Sequence, residues 1–129
     1  MANSYLIDAM KAVKNSFNSY TITTLSQDIA TASAKDSQYL KECTDKIKNS
    51  RKWTVDELDK LGFETLPSSA NFIFTTNKNI DAKDLFEYLK EHRIFVRYFN
   101  KPRINQYLRI TIGTQEQMEA LVKAIKEYK

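Results

Sequence analysis

Apolar side chains recur at helical spacing from the first residues onward. Leu6, Met10 and Val13 lie three and four apart within SYLIDAMKAVK, so residues 4–14 are predicted as a helix with Asn3 or Ser4 as its N-cap. The pattern breaks over SFNSYTIT, Ser16 to Thr23, which is expected to be an extended connection. A second, weakly apolar helix follows from about Thr24 to Ala34, with Leu25, Ile29 and the small residues Ala30, Ala32 and Ala34 that would let another backbone come close. Asp36 then caps a long helix in which Leu40, Cys43, Ile47, Thr54, Leu58 and Leu61 keep three-four spacing up to Gly62, the C-terminal breaker. Asn49, Ser50 and Arg51 interrupt that stripe and allow a bend.

After Gly62 the period shortens. Phe63 to Pro67 reads as a short extended piece and Ala70 to Thr75, ANFIFT, as a strand. Asp81 caps a helix with Leu85, Phe86 and Leu89 inward, and Thr114 and Gln117 form a T-x-x-Q capping box for a last helix with Met118, Leu121, Val122 and Ile125. Between these helices lie two strands, Ile94 to Phe99 and Tyr107 to Ile112, joined by the polar loop NKPRIN. The order implies an α+β domain: a small antiparallel or mixed sheet of three to four strands with helices on one face, preceded by N-terminal helices. Residues 1–35 are expected to form N-terminal helices and a connector, and residues 36–129 the small domain. The abrupt helical start suggests a chain cut from something longer.

Each of the two strands carries one arginine in an apolar or aromatic run. Alternation puts Leu108, Ile110 and Ile112 on one face and Arg109, with Tyr107 and Thr111, on the other. Arg97 and Arg109 are candidates for a two-pronged anion receptor, because the planar guanidinium matches carboxylate or phosphate oxygens. The competing reading is a pair of arginines on a solvated face or satisfied by a structural carboxylate.

Composition narrows the chemistry further. With 129 residues the chain is long enough for one domain with a real core, and no apolar run approaches the ~20 residues that span a bilayer. Its start lacks a basic region followed by an apolar one, and one cysteine cannot close an internal disulfide; both point to the cytoplasm. Two glycines, Gly62 and Gly113, exclude a glycine-rich phosphate loop within these residues. A single histidine and a single cysteine leave no metal-ligand set. His92 is expected to serve structurally at a helix end, and Cys43 to be a buried, inert thiol. The net charge of +4 comes from lysines scattered among acids, so nucleic acid is an unlikely partner. An RNA-binding face would need aromatics beside the arginines, and Tyr98, Phe99 and Tyr107 stand in that position in sequence.

Several blocks together resemble the C-terminal part of histidinol-phosphate aminotransferases, fold-type I enzymes that use pyridoxal phosphate. They are SFNSYTITTLSQ (16–27), LGFETLPSSANFIF (61–74), DAKDLFEYLKEHR (81–93), IFVRYFNKP (94–102) and YLRITIGTQEQMEALVKAI (107–125). The most specific are YLRITIGT and the arginine of VRYF a dozen residues before it. The resemblance implies a small domain forming one wall of an active site, with Arg109 and Arg97 as substrate-binding residues for the phosphate or carboxylate. It also implies pyridoxal phosphate bound mainly by a large domain, a phosphorylated amino substrate, 2-oxoglutarate as acceptor in histidine biosynthesis, and a homodimer. No lysine here has the context of the Schiff-base lysine, so no catalytic or cofactor residue is assigned, and the 129-residue chain alone is expected to be inactive. His92 stands where relatives commonly have glycine. The alternatives are a threonine-phosphate decarboxylase of the same fold and a free-standing anion-binding module without catalysis.

Overall fold

Capping and breaking signals along the chain translate into nine elements among the described residues. A computed structural model describes residues 3–16 and 20–128. The chain divides into two compact units, Met1–Leu40 and Lys41–Lys129.

The first unit holds helices α1 (Ser4–Lys14) and α2 (Thr24–Lys35) and the start of α3 (Ser37–Lys60). Asn3 caps α1 by accepting from the Tyr5 amide, and Thr23 caps α2 by accepting from Ser26. Asp36 caps α3, its carboxylate accepting from the Tyr39 amide at 3.0 Å. The expected connection falls partly on residues 17–19, outside the described residues; residues 20–23 are non-helical. The apolar positions of both helices face solvent: Leu6, Met10, Val13, Leu25 and Ile29 are all more than half exposed.

The second unit contains the core. Strands β1 (Phe63–Thr65), β2 (Phe72–Asn77), β3 (Arg97–Tyr98) and β4 (Tyr107–Thr111) form one antiparallel sheet in the order β1-β2-β4-β3. Helices α4 (Ala82–Glu91) and α5 (Gln115–Glu127), with the second half of α3, cover one face. Leu58 from α3, Leu85 and Leu89 from α4, and Leu121 and Ile125 from α5 meet Ile73, Leu108 and Ile110 from the sheet. The buried polar groups among them are satisfied. Thr54 donates to the Ser50 carbonyl at 2.7 Å, and Thr75 donates to the Glu64 carbonyl at 3.2 Å while accepting from Thr65. The Asn77 amide donates to the Leu61 carbonyl, and Lys126 on α5 pairs with Glu57 on α3 at 3.0 Å.

Three local expectations are corrected. First, α3 runs without a break through Asn49–Arg51, because Ser50 is small enough to be buried and Arg51 reaches out to donate to the Ala70 carbonyl. Second, that contact and the Ser68 hydroxyl, which donates to the Phe72 carbonyl and accepts from the Ala70 amide, bend the chain at residues 70–71, so β2 starts at Phe72 instead of Ala70. Third, Cys43 is only partly buried, since the buried face of α3 begins at Ser50.

The strand expected over Ile94 to Phe99 shrinks to Arg97–Tyr98, and the end of α4 explains it. The Ile94 amide donates to the Leu89 carbonyl at 2.8 Å and the Arg93 amide to the Lys90 carbonyl at 3.0 Å, the paired bonds of a Schellman motif. Its left-handed position is Arg93, at φ 60°, one residue beyond His92. His92 is the C-cap, and its Nδ1 donates to the Tyr88 carbonyl at 2.8 Å, a structural contact. Gly62, at φ 79°, fills the equivalent place after α3.

Two stability tests follow from these ends. A left-handed non-glycine residue costs roughly 1–2 kcal/mol, so Arg93→Gly should raise unfolding stability by about 0.5–1 kcal/mol in urea titrations once glycine's extra chain entropy is subtracted. Asp81 at the start of α4 accepts from the Asp84 and Lys83 amides and from the Gln106 side chain, which hold its carboxyl below the ordinary value of 3.8. Its contribution is therefore complete above that value and is lost as the pH falls through the depressed folded one. Asp81→Asn, which keeps an N-cap acceptor, should lose less stability than the parent on going from about pH 5 to pH 2.

Candidate anion-binding site

The face of the sheet turned away from the helices is set by β4. Leu108 and Ile110 are buried in the core, so their neighbours Tyr107, Arg109 and Thr111 must emerge on the opposite side. In the register of the sheet Arg109 stands directly opposite Phe74 on β2 and directly opposite Arg97 on β3. The structure thus brings the two predicted arginines together in one cross-strand row, where Cα atoms lie about 4.5–5.5 Å apart.

Like charges directly opposite one another are destabilising unless something compensates. Among the described residues neither arginine side chain has an ion-pair or hydrogen-bond partner. The structural-carboxylate reading therefore has no candidate in the described part of the chain. Arg109 Nε is buried with no hydrogen-bond acceptor, and it is the one such side-chain atom found there. With Nε covered, Arg109 can offer a ligand only its two terminal nitrogens.

Aromatic rings surround the pair. The Arg109 guanidinium lies over the Phe72 ring, 5.3 Å from its centroid, and that of Arg97 over Phe99 at 5.2 Å. Phe74 stacks on Tyr107 at 4.7 Å and meets the edge of Phe99 at 6.2 Å. Tyr98, expected beside the arginines, is on the other face and stacks on Phe86 of α4 at 5.9 Å. That follows from alternation, since Tyr98 neighbours Arg97 in sequence. Phe72 and Phe74 were not singled out from the sequence because only the β2–β4 pairing brings them here.

The stretch of chain that carries both arginines is basic throughout. From His92 to Gln115 there is no aspartate or glutamate, while Arg93, Arg97, Lys101, Arg103 and Arg109 all lie in that interval. These five cations exceed the +4 of the whole chain. The loop between β3 and β4 is tied down at its far end, where Thr76 donates to the Gln106 carbonyl and the Gln106 side chain bonds Asp81. Such a surface concentrates anions.

Residues 1–125 match the family model of class I and II aminotransferases. The chain belongs to this aminotransferase family. Over 127 residues it is 52% identical to a histidinol-phosphate aminotransferase of Acinetobacter baumannii (strain AYE), covering 98% of this chain and 35% of that protein. A putative aminotransferase of Burkholderia pseudomallei has a similar fold, with TM-score 0.74 and 28% identity over 98% of this chain and 38% of the other. The histidinol-phosphate aminotransferase of Sinorhizobium meliloti, solved with pyridoxal-5'-phosphate, aligns at TM-score 0.66 and 32% identity over 72% of this chain and 26% of that one. The chain spans about a third of the length of the curated relatives it matches.

Pyridoxal phosphate is the cofactor this aminotransferase family implies, and the described lysines do not suit it. A Schiff-base lysine needs a desolvated amine whose pKa is pushed down. Every described lysine is exposed, and Lys60 and Lys78 are shifted the opposite way, above 10.5, by their bonds to Glu57 and Glu64. Among the described residues no group of three or more His, Cys, Asp or Glu side chains could hold a metal, and no helix is long and apolar enough to cross a membrane.

The unopposed charge of this face is directly testable. Inorganic phosphate titrated into the chain should perturb Arg97 and Arg109. The affinity should fall severalfold between about 0.01 and 0.15 M salt, as the screening length drops from ~30 to ~8 Å. Salt-independent binding would mean that phosphate is held by something other than this charged face.

Proposed function

We propose that the chain supplies the substrate-anion site of a pyridoxal-phosphate-dependent histidinol-phosphate aminotransferase, moving an amino group between histidinol phosphate and 2-oxoglutarate. The observation that carries this reading is the direct cross-strand pairing of Arg97 with Arg109, neither of which has a carboxylate partner among the described residues. Two cations in one row match a phosphate dianion better than a single carboxylate, because a monoanion leaves one positive charge unopposed. The names of the relatives support the substrate assignment.

In this proposal Arg109 grips the substrate through its terminal nitrogens and Arg97 closes on the same anionic group from the edge strand. Holding a non-reacting end of the substrate fixes where the amino group lies, so binding energy becomes orientation at the reacting atom. The alternating arrival of histidinol phosphate and 2-oxoglutarate is served by the same arginines, since both present anionic oxygens. The cofactor and its lysine belong, on this reading, to a large domain outside this chain. Residues 1–35 form the connector from that domain, in line with the exposed apolar side chains of α1 and α2. The complete enzyme is then a cytoplasmic homodimer.

The test is an assay of the complete enzyme with histidinol phosphate and 2-oxoglutarate. Arg109→Gln and Arg97→Gln should each lower kcat/KM by about 10- to 100-fold, the equivalent of one lost charge-assisted contact, and Arg109→Lys should not restore it. The 129-residue chain alone should show no turnover. Full activity in both glutamine variants would remove the proposed site. Release of carbon dioxide from threonine phosphate, without transamination, would place the protein with the decarboxylases instead.

A further inference from the structure

We infer that Phe72 and Phe99 are positioning residues, which hold the two guanidiniums ready for an anion before it arrives. This rests on the anion-site reading of Arg97 and Arg109 and adds two residues to it.

Four observations lead there. Arg97 and Arg109 are cross-strand partners with no carboxylate paired to either, so their mutual repulsion favours side-chain rotamers that keep the two charges apart. Each guanidinium lies over a different ring on opposite sides of that row, Arg109 over Phe72 and Arg97 over Phe99. Phe72 faces Thr111 in the β2–β4 register, which makes Arg109 its diagonal neighbour, within reach of a long side chain. Phe99 lies two residues along from Arg97 and so projects to the same side of the sheet.

Phe72 is also poorly explained by packing. It is 38% exposed although it flanks Ile73, a fully buried core residue. A large ring left at the surface beside an arginine gains attraction to the cation, whose charge sits over the negative face of the ring. The buried Nε of Arg109 agrees with a guanidinium that is docked, not sampling solvent. An arginine held in this way has already lost the freedom that binding would otherwise take, which is how preorganisation raises affinity. Phe74 completes the support. It contacts both Tyr107 and Phe99, so the ring under Arg97 is itself fixed from the side.

The test uses the full 129-residue chain with inorganic phosphate as the probe. It follows the Nε–H signals of the arginines by NMR and compares Phe72→Leu and Phe99→Leu with Phe72→Tyr and Phe99→Tyr. Each leucine variant should weaken phosphate binding by about two- to fivefold, the size of an exposed cation–π contact, and should abolish the ring-induced shift of its arginine signal. The tyrosine variants keep an aromatic face and should recover both the shift and the affinity, which a role in shape alone would not produce. Leucine variants that bind phosphate like the parent, or tyrosine variants as weak as leucine, would overturn the inference while leaving the arginine site standing. Unchanged binding in Arg109→Gln, or no response of the parent chain to phosphate, would overturn the arginine site and the inference with it.

Discussion

Burial of Leu108, Ile110 and Ile112 is the constraint from which the site descends. With a side-chain period of two, a strand that puts these three residues into the core must send Tyr107, Arg109 and Thr111 to the other face. A one-residue slip would bury Arg109 and expose the aliphatic set, so the register of β4 is strongly specified. The neighbours then have no freedom either. Ile73 and Thr75 on β2 are buried against the same helices, which leaves Phe72 and Phe74 to line the arginine face. On β3 the partly buried Tyr98 faces α4 and Arg97 faces away.

This arrangement works against stability at one place. Two like charges in direct register and a buried donor without an acceptor are both unfavourable, and neither is relieved by a carboxylate in the described residues. The opposite face of the sheet behaves differently. The buried side chains of Thr54, Thr75 and Asn77 there each have a hydrogen-bond partner. Unsatisfied groups gathered on one face, with a satisfied core behind it, are what a binding surface on a rigid support should look like. The aromatic rings moderate the repulsion without neutralising it, so the charge remains available to a ligand.

The two units differ in how their apolar residues are used. In Lys41–Lys129 the stripes of α4 and α5 close on the sheet, and most of their aliphatic residues are buried. In Met1–Leu40 the stripes of α1 and α2 remain at the surface. Short helices of 11 and 12 residues gain most of their stability from packing and little from propensity, so burial of those stripes would matter to them. The relatives to which this aminotransferase chain is similar are about three times as long as the matched region.

Local sequence was sufficient wherever a signal acts within a few residues. Asn3, Thr23, Asp36, Asp81 and the Thr114–Gln117 box start their helices by bonding amides two or three positions away, and Gly62 ends one by its own left-handed φ. Alternation in YLRITI placed Arg109 away from the core, and YLRITIGT with VRYF carried the family resemblance. What depended on distant pairing was not legible. The start of β2 was set by Arg51, which bonds the Ala70 carbonyl nineteen residues on, and the shortening of β3 by a left-handed arginine where glycine is the usual signal. Phe72 and Phe74 are far in sequence from Arg109, and nothing in their own neighbourhood marks them. The sequence by itself determined which residues are charged, capped and alternating, because those properties act locally. Only the tertiary structure decided that Arg97, Arg109 and four aromatic rings share one face, because strand register comes from burial summed over the whole sheet.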